Sequence, residues 1–205
     1  MPRRRGDSLV KRAREHVAGG EGYDAREVLF KLMDKYPERV DREVRLLMAM
    51  SVEVDGSIYK AEDWTRSILK DEPDYLEAWK FLAVLLAKNE DRLDELEEVV
   101  NHGIKLGADR VAMLRRLAYG YSRNERYQDA LKVHQEIVDM TPDDPFSWDS
   151  LAMTQHDLGQ DEDSLRSWER KLELEPDDHR ALYWTKQLRR KLSRENNSGK
   201  ENSDG

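Results

Sequence analysis

Five histidines are the residues best suited to acid–base or metal chemistry: His16, His102, His134, His156 and His179. Metal capture on a helix wants two histidines four residues apart, as in a His-Glu-x-x-His run, so that the ligands converge on one face. No two of the five stand at that spacing. His102 and His134 fall where side chains pack inward, and each reads as a partly buried structural imidazole. The acidic run Asp91, Asp94, Glu95, Glu97 and Glu98 offers carboxylates for acid catalysis or a cation, but such runs on helices belong to solvated faces. Gly19-Gly20-Glu21-Gly22 has the glycine content of a phosphate loop, without the following Lys-Ser or Lys-Thr, and reads as a turn between helices. No Gly-x-Ser-x-Gly elbow occurs, and the absence of cysteine removes thiol catalysis, disulfides and thiolate metal sites. No catalytic constellation can be assembled, so the expectation is a protein that is not an enzyme and carries no metal and no cofactor.

The elements holding these residues are written as a repeat. Residues 111–144 and 145–178 carry one text twice: a large apolar residue (Leu114, Trp148), a Leu-Ala pair (Leu117-Ala118, Leu151-Ala152), a small residue twelve places on (Ala130, Ser164), and a proline twelve beyond (Pro142, Pro176). The same ruler fits Ala13, Ala25 and Pro37, then Ala49, Ala61 and Pro73. A middle copy keeps Trp79, Leu82 and Ala83, but has Glu95 at the second small place and Gly107 in place of the proline. Successive first alanines are 36, 34, 35 and 34 residues apart, which puts extra residues in connections near Val40-Asp41 and Arg110. Each copy reads as two helices crossing at the alanine, where a longer side chain would push the backbones apart. The proline stops the second helix, and Asp144-Pro145 is a cap followed by proline at the first helical position.

This order and the 34-residue period resemble the tetratricopeptide repeat family. The resemblance implies an all-α, right-handed superhelical solenoid of about five helix-turn-helix repeats plus a C-terminal capping helix. The repeats fall at about 6–39, 42–75, 76–110, 111–144 and 145–178, and the capping helix at 179–193. Together they make a single solenoid domain over 8–193, with a basic N-terminal arm at 1–7, Ser8 as the first cap, and a disordered tail at 194–205. In the capping helix Leu182, Tyr183, Leu188 and Leu192 mark the packing pattern, and Lys186, Arg189, Arg190 and Lys191 stay in water. Trp79 and Trp148 occupy the large place of the repeat and read as packing residues. Trp64 and Trp168 fall on second helices and Trp184 on the cap, so the five rings form no exposed base-stacking surface.

Of 205 residues, 38% are hydrophobic and 38% charged, a ratio suited to a thin two-layer array. The net charge of −8 removes generic attraction to nucleic acid or to an anionic membrane. Apolar runs such as 81–87 are too short to span a bilayer, and the opening Met-Pro-Arg-Arg-Arg is not followed by the apolar stretch of a secretory signal. A soluble, cytoplasmic protein is expected.

In arrays resembling this family the first helices line a concave groove. By the family's register the third and fourth copies present Lys80, Val84 and Lys88, then Arg115, Tyr119 and Arg123. The flanking copies are more apolar, with Leu46, Met50 and Val54 on one side and Phe146, Met153 and Tyr183 on the other. Cations around Val84 and Tyr119 suit a protein or peptide segment that is acidic in its middle and apolar at its ends. The competing account is that these cations balance Glu77, Asp149 and other acids of the same protein. The lysine–asparagine pairs that family members use to clamp acidic chaperone tails are absent from the fifth and ninth places of every copy. The expected function is a non-catalytic interaction module or adaptor. The alternatives are a structural subunit or self-associating scaffold, and nucleic-acid binding through Arg3-Arg4-Arg5 with Lys11, Arg12 and Arg14.

Overall fold

Ala13, Ala49, Ala83, Ala118 and Ala152 are completely buried, and Ala25, Ala61, Ala130 and Ser164 are equally buried on the facing helices. A methyl group at each crossing lets the two helices of a pair approach closely. The serine adds a polar group there, and its Oγ donates to the Ala152 carbonyl at 2.8 Å, so the substitution leaves no unsatisfied hydroxyl.

The computed structural model describes residues 2–89 and 91–201, with side chains over 6–89 and 91–195. Eleven α-helices and no strand occur among them: α1 (Pro2–Ala18), α2 (Gly22–Lys35), α3 (Arg42–Val54), α4 (Ile58–Asp71), α5 (Leu76–Ala87), α6 (Leu93–Lys105), α7 (Arg110–Arg123), α8 (Tyr127–Met140), α9 (Pro145–Asp157), α10 (Asp161–Leu174) and α11 (His179–Glu201). None of these helices is long and apolar enough to cross a membrane. The chain divides into two compact units, 1–108 with α1 to α6 and 109–205 with α7 to α11. In unit 1 the pairs α1–α2, α3–α4 and α5–α6 follow one another, with α2 against α3 and α4 against α5. In unit 2 α7 packs on α8, α8 on α9, α9 on α10, and α11 closes on α10.

Four helix starts are capped by aspartates. Asp41, Asp109, Asp144 and Asp178 each accept a backbone N–H in the first turn of α3, α7, α9 and α11. The tryptophans at the large place act alike in two copies: Trp79 Nε1 donates to the Pro73 carbonyl at 2.7 Å, and Trp148 Nε1 to the Pro142 carbonyl at 2.9 Å. Each ring thus ties a first helix to the proline that ended the preceding one.

The turn inside each copy needs one residue with positive φ. Glycine supplies it at Gly20, Gly56 and Gly159, with φ of 76°, 81° and 72°. In the other two copies Asp91 (φ 67°) and Glu125 (φ 58°) take the place of glycine. Gly22 answers a different need, because a Cβ there would lie 2.5 Å from the Ser51 carbonyl oxygen and 2.6 Å from Asp55 Oδ1.

The third copy departs from the sequence ruler. The buried fourth residue of the second helix is Ala25, Ala61, Ala130 or Ser164 elsewhere, but in α6 it is Leu96, thirteen rather than twelve places after Ala83. The extra residue therefore lies in the 88–92 turn and not near Arg110, and Glu95 does not stand at the crossing. Glu95 instead joins Arg92 and Arg66, and Glu62, buried on α4, receives two 2.8 Å bonds from Arg92. The two extra residues between the first and second copies are taken up around a 3-10 turn at Pro37–Arg39, as expected near Val40.

Both ends also differ from the expectation. Helix α1 begins at Pro2, not at Ser8, and Asp7 within it is held by Arg39 at 2.7 Å while Gly6 is buried near the Arg39 side chain. The side chains of Arg3, Arg4 and Arg5 lie outside the described residues. At the other end α11 continues past Ser193 to Glu201, since no proline interrupts it, and only 202–205 of the expected tail lie outside the described residues. In α11 the packed side chains are Ala181, Trp184, Thr185 and Leu188, whereas Leu182 and Tyr183 are exposed. The packing stripe is thus rotated from the one the leucines suggested.

Candidate functional site: the first-helix faces

The ten candidate residues divide between the units, Leu46, Met50, Lys80, Val84 and Lys88 in unit 1 and Arg115, Tyr119, Arg123, Phe146 and Met153 in unit 2. In unit 1 Leu46 is only 4% exposed and packs inward, so it offers nothing to a partner. Met50 and Val84 are half-buried, with Met50 against the Val10–Leu29–Leu32–Leu47 cluster. Lys88 is already paired with Glu53. Lys80 is exposed and has no ion pair among the described residues.

Unit 2 brings more of its candidates together. Arg115 on α7 donates to Asp144 Oδ2 at 2.5 Å and to Ser147 Oγ at 3.2 Å, and its guanidinium lies 5.1 Å from the centroid of the Phe146 ring. Burial by itself would push the Asp144 carboxyl up, but the Ser147 hydroxyl, Arg115 and the N–H groups of Phe146 and Ser147 outweigh it and hold the group below the carboxylate range. Asp149, one turn along α9, accepts from Lys171 at 2.7 Å and from Arg180 of α11 at 2.8 Å. These bonds set α7, α9 and α11 side by side within the unit. Their faces carry Tyr119, Phe146 and Tyr183, which are 47%, 60% and 56% exposed, and also Leu182. Arg123 is exposed, and Met153 is half-buried against the Trp168–Ala181–Leu188 cluster. Arg116, Lys186 and Arg190, on α7 and α11, are exposed and without an ion pair among the described residues.

Two of the five histidines, His134 and His156, are half-buried in packed positions. His134 is half-buried beside α7, and desolvation, aided by the positive Arg115, lowers its pKa to about 4, so it is neutral. His102 is exposed, not inward-packed, and its ring lies 4.2 Å from that of Trp79. His156 packs on Trp184 at 4.6 Å. Ligand atoms of His16, Glu21 and Asp24 converge within 4.8 Å, a cluster with one histidine and therefore without the paired-histidine spacing. His16 already pairs with Glu21, and both acids stand at the N-terminus of α2, where the helix dipole favours negative charge, so the cluster has an account without an ion. Trp64 lies on the second helix α4, where the sequence placed it, and is 44% exposed.

No family model matches the chain. Among curated proteins it is similar to the Protein O-mannosyl-transferase TMTC1 of Homo sapiens, 26% identical over 140 residues, and to the protein of that name in Mus musculus at the same identity. The match covers 66% of this chain but only 16% of the human relative and 15% of the murine one. Solved structures resemble it over most of their length. TTC0263, a thermophilic TPR protein of Thermus thermophilus, superposes with a TM-score of 0.64 at 16% identity, over 89% of this chain and 98% of that one. TPR-like repeats of a kinesin light chain from Podosopora anserina reach 0.69 at 18% identity, over 88% and 99%. MamA of Desulfovibrio magneticus RS-1 reaches 0.68 at 16% identity, over 85% and 97%. The fold is that of the tetratricopeptide repeat.

Proposed function

We propose that the chain is a non-catalytic protein-interaction adaptor, and that the face formed by α7, α9 and α11 of unit 2 takes a partner segment. One observation carries this reading: three rings, Tyr119, Phe146 and Tyr183, stand about half exposed on α7, α9 and α11, which are joined by the Arg115–Asp144 and Arg180–Asp149 hydrogen bonds. Apolar rings left in water on a rigid framework are what a binding face needs, because the partner gains their burial without ordering the framework first. Arg116, one turn from Tyr119 on α7, and Lys186 and Arg190, one and two turns from Tyr183 on α11, are exposed on the same helices, so an acidic segment with apolar residues fits better than a neutral one. Arg115 acts mainly as a brace, since its guanidinium is committed to Asp144. In unit 1 Lys80 and Val84 offer a smaller face of the same kind, with Lys88 engaged by Glu53.

The test is a pull-down comparing the parent protein with the double variant Tyr119→Ser/Phe146→Ser, after circular dichroism has shown equal helicity. The expected result is a partner protein lost with the variant. If the same proteins come down with both, the face is not where partners bind. Light scattering across a range of concentrations separates this reading from a self-associating scaffold, for which the mass would rise.

A further inference from the structure

Exposed large apolar residues are distributed differently in the two units. Among the described residues of unit 1 they are Tyr23, Phe30, Met33, Tyr59 and Trp64, which lie on the second helices α2 and α4. Tyr23 and Phe30 are two helical turns apart and so share one stripe, and they are 66% and 58% exposed. The opposite stripe of α2, with Ala25, Val28, Leu29 and Leu32, makes the core. Beside the two rings runs a groove of about 560 Å³ between α1 and α2, whose charged lining is Arg12, Arg26 and Lys31 against the single carboxylate Glu27. Asp24 and Asp34 belong to the same helix but lie outside the groove. Arg26 is engaged by Asp55 and by the Ser51 carbonyl at 2.8 Å. Arg12 Nε donates to His16 Nε2 at 3.4 Å, and neither it nor Lys31 has a carboxylate partner among the described residues.

We infer that this groove is a second docking surface, on the opposite helix set from the face in unit 2, and that its occupant is an acidic peptide segment with an aromatic or aliphatic anchor. The anchor would lie between Tyr23 and Phe30, where both rings are now wet, and its neighbouring carboxylates would meet Arg12 and Lys31. Local charge favours that occupant: with Arg26 held by Asp55, Arg12 and Lys31, neither bound to a carboxylate among the described residues, face the single acid Glu27 in a chain of net charge −8. Glu27 on the same rim opposes an unbroken phosphate backbone but can accept an N–H from a peptide. The inference stands apart from the face in unit 2, and together the two surfaces would let one chain hold two segments at once.

A random copolymer of glutamate and tyrosine serves as probe, with acetylation of Lys31 by acetic anhydride, read by mass spectrometry, as the local signal. Lys60, exposed on α4 and outside the groove, is the internal reference. At a copolymer concentration ten times its Kd, Lys31 labelling should slow about tenfold while Lys60 is unchanged. In the variant Phe30→Ser that protection should disappear, although copolymer bound at Tyr119 and Phe146 would remain, so the two surfaces fail separately. The inference is overturned if Lys31 labels at one rate with and without the copolymer, or if Phe30→Ser keeps its protection. It is equally overturned if polyglutamate or polyuridylate protects as well, since charge alone then suffices. Protection that grows with protein concentration in the absence of probe, with a matching rise in sedimented mass, would make a second copy the occupant and would also overturn it.

Discussion

Glu125 is the residue whose replacement tests the turn geometry most directly. Its φ of 58° lies where the equivalent turns place glycine, at 72° to 81°. A side chain in that region costs about 1–2 kcal/mol, because Cβ crowds the carbonyl oxygen that follows. Glycine returns part of this by loosening the unfolded chain, by about 0.4–1 kcal/mol. The net expectation for Glu125→Gly is therefore a gain of about 0.5–1 kcal/mol. For a chain of this size that is a rise of roughly 1–4 °C in Tm. The reciprocal variant isolates the cause: at Gly159 an added Cβ meets nothing within 4 Å, so Gly159→Ala loses stability through conformation alone, by about 1 kcal/mol. Urea and thermal unfolding followed by circular dichroism measure both. A lowered midpoint for Glu125→Gly, or an unchanged one for Gly159→Ala, would refute the argument that these turns require a left-handed residue.

Ala118→Leu should overpack the α7–α8 crossing and cost about 1–3 kcal/mol, and a variant that melts like the parent would show the crossing to be misassigned. Burial would raise the Glu62 and Glu95 pKa values, but bonds and charge from Arg92 and Arg66 outweigh it and hold both below their ordinary 4.5. The stability these carboxylates contribute is thus complete above pH 4.5 and is lost as pH falls through the lower folded values; Glu62→Gln should flatten that acid limb, and an unchanged limb in acid unfolding would count against it. His134, with a folded pKa of about 4 against an ordinary 6.5, contributes stability that is complete above 6.5 and declines as pH falls toward 4. In an NMR titration its ring resonances should stay in the neutral form at pH 5.5, and a midpoint near 6.5 would place the ring in water.

Much of the fold was legible because the crossing alanines admit little else: a position that must be a methyl group in five copies shows through any amount of surface drift. The third copy was misread for an equally physical reason. A spacing of 35 between Ala83 and Ala118 says that one residue was added but not where, and Glu95 and Leu96 are neighbours on one helix. Only burial separates them, since Leu96 lies in the core and Glu95 pairs with two arginines. Exposed Leu182 and Tyr183 misled for a related reason, because apolar residues occur on both faces of α11 and the packed stripe is fixed by α10.

Two of the candidate cations, Lys88 and Arg115, follow the competing account in which the cations balance acids of the same protein, and the signal for it was present in the sequence. Arg14–Glu43, Arg42–Glu72, Arg92–Glu62, Arg66–Glu95, Arg115–Asp144 and Arg180–Asp149 are all bonded pairs separated by 29 to 31 residues. Lys88–Glu53, at 35, follows the same pattern. That separation is close to one repeat, so a cation in one copy finds its acid at a neighbouring place in the next or preceding copy. Most of these pairs are partly exposed and individually add little to stability. Their consequence for function is greater, because each removes a charge from the set that a partner can use. Subtracting from the basic surface every cation with an acid one repeat away takes out Lys88 and Arg115. Lys80, Arg116, Lys186 and Arg190 are among those that remain, and three of these four lie in unit 2, on the helices α7 and α11 that carry Tyr119 and Tyr183.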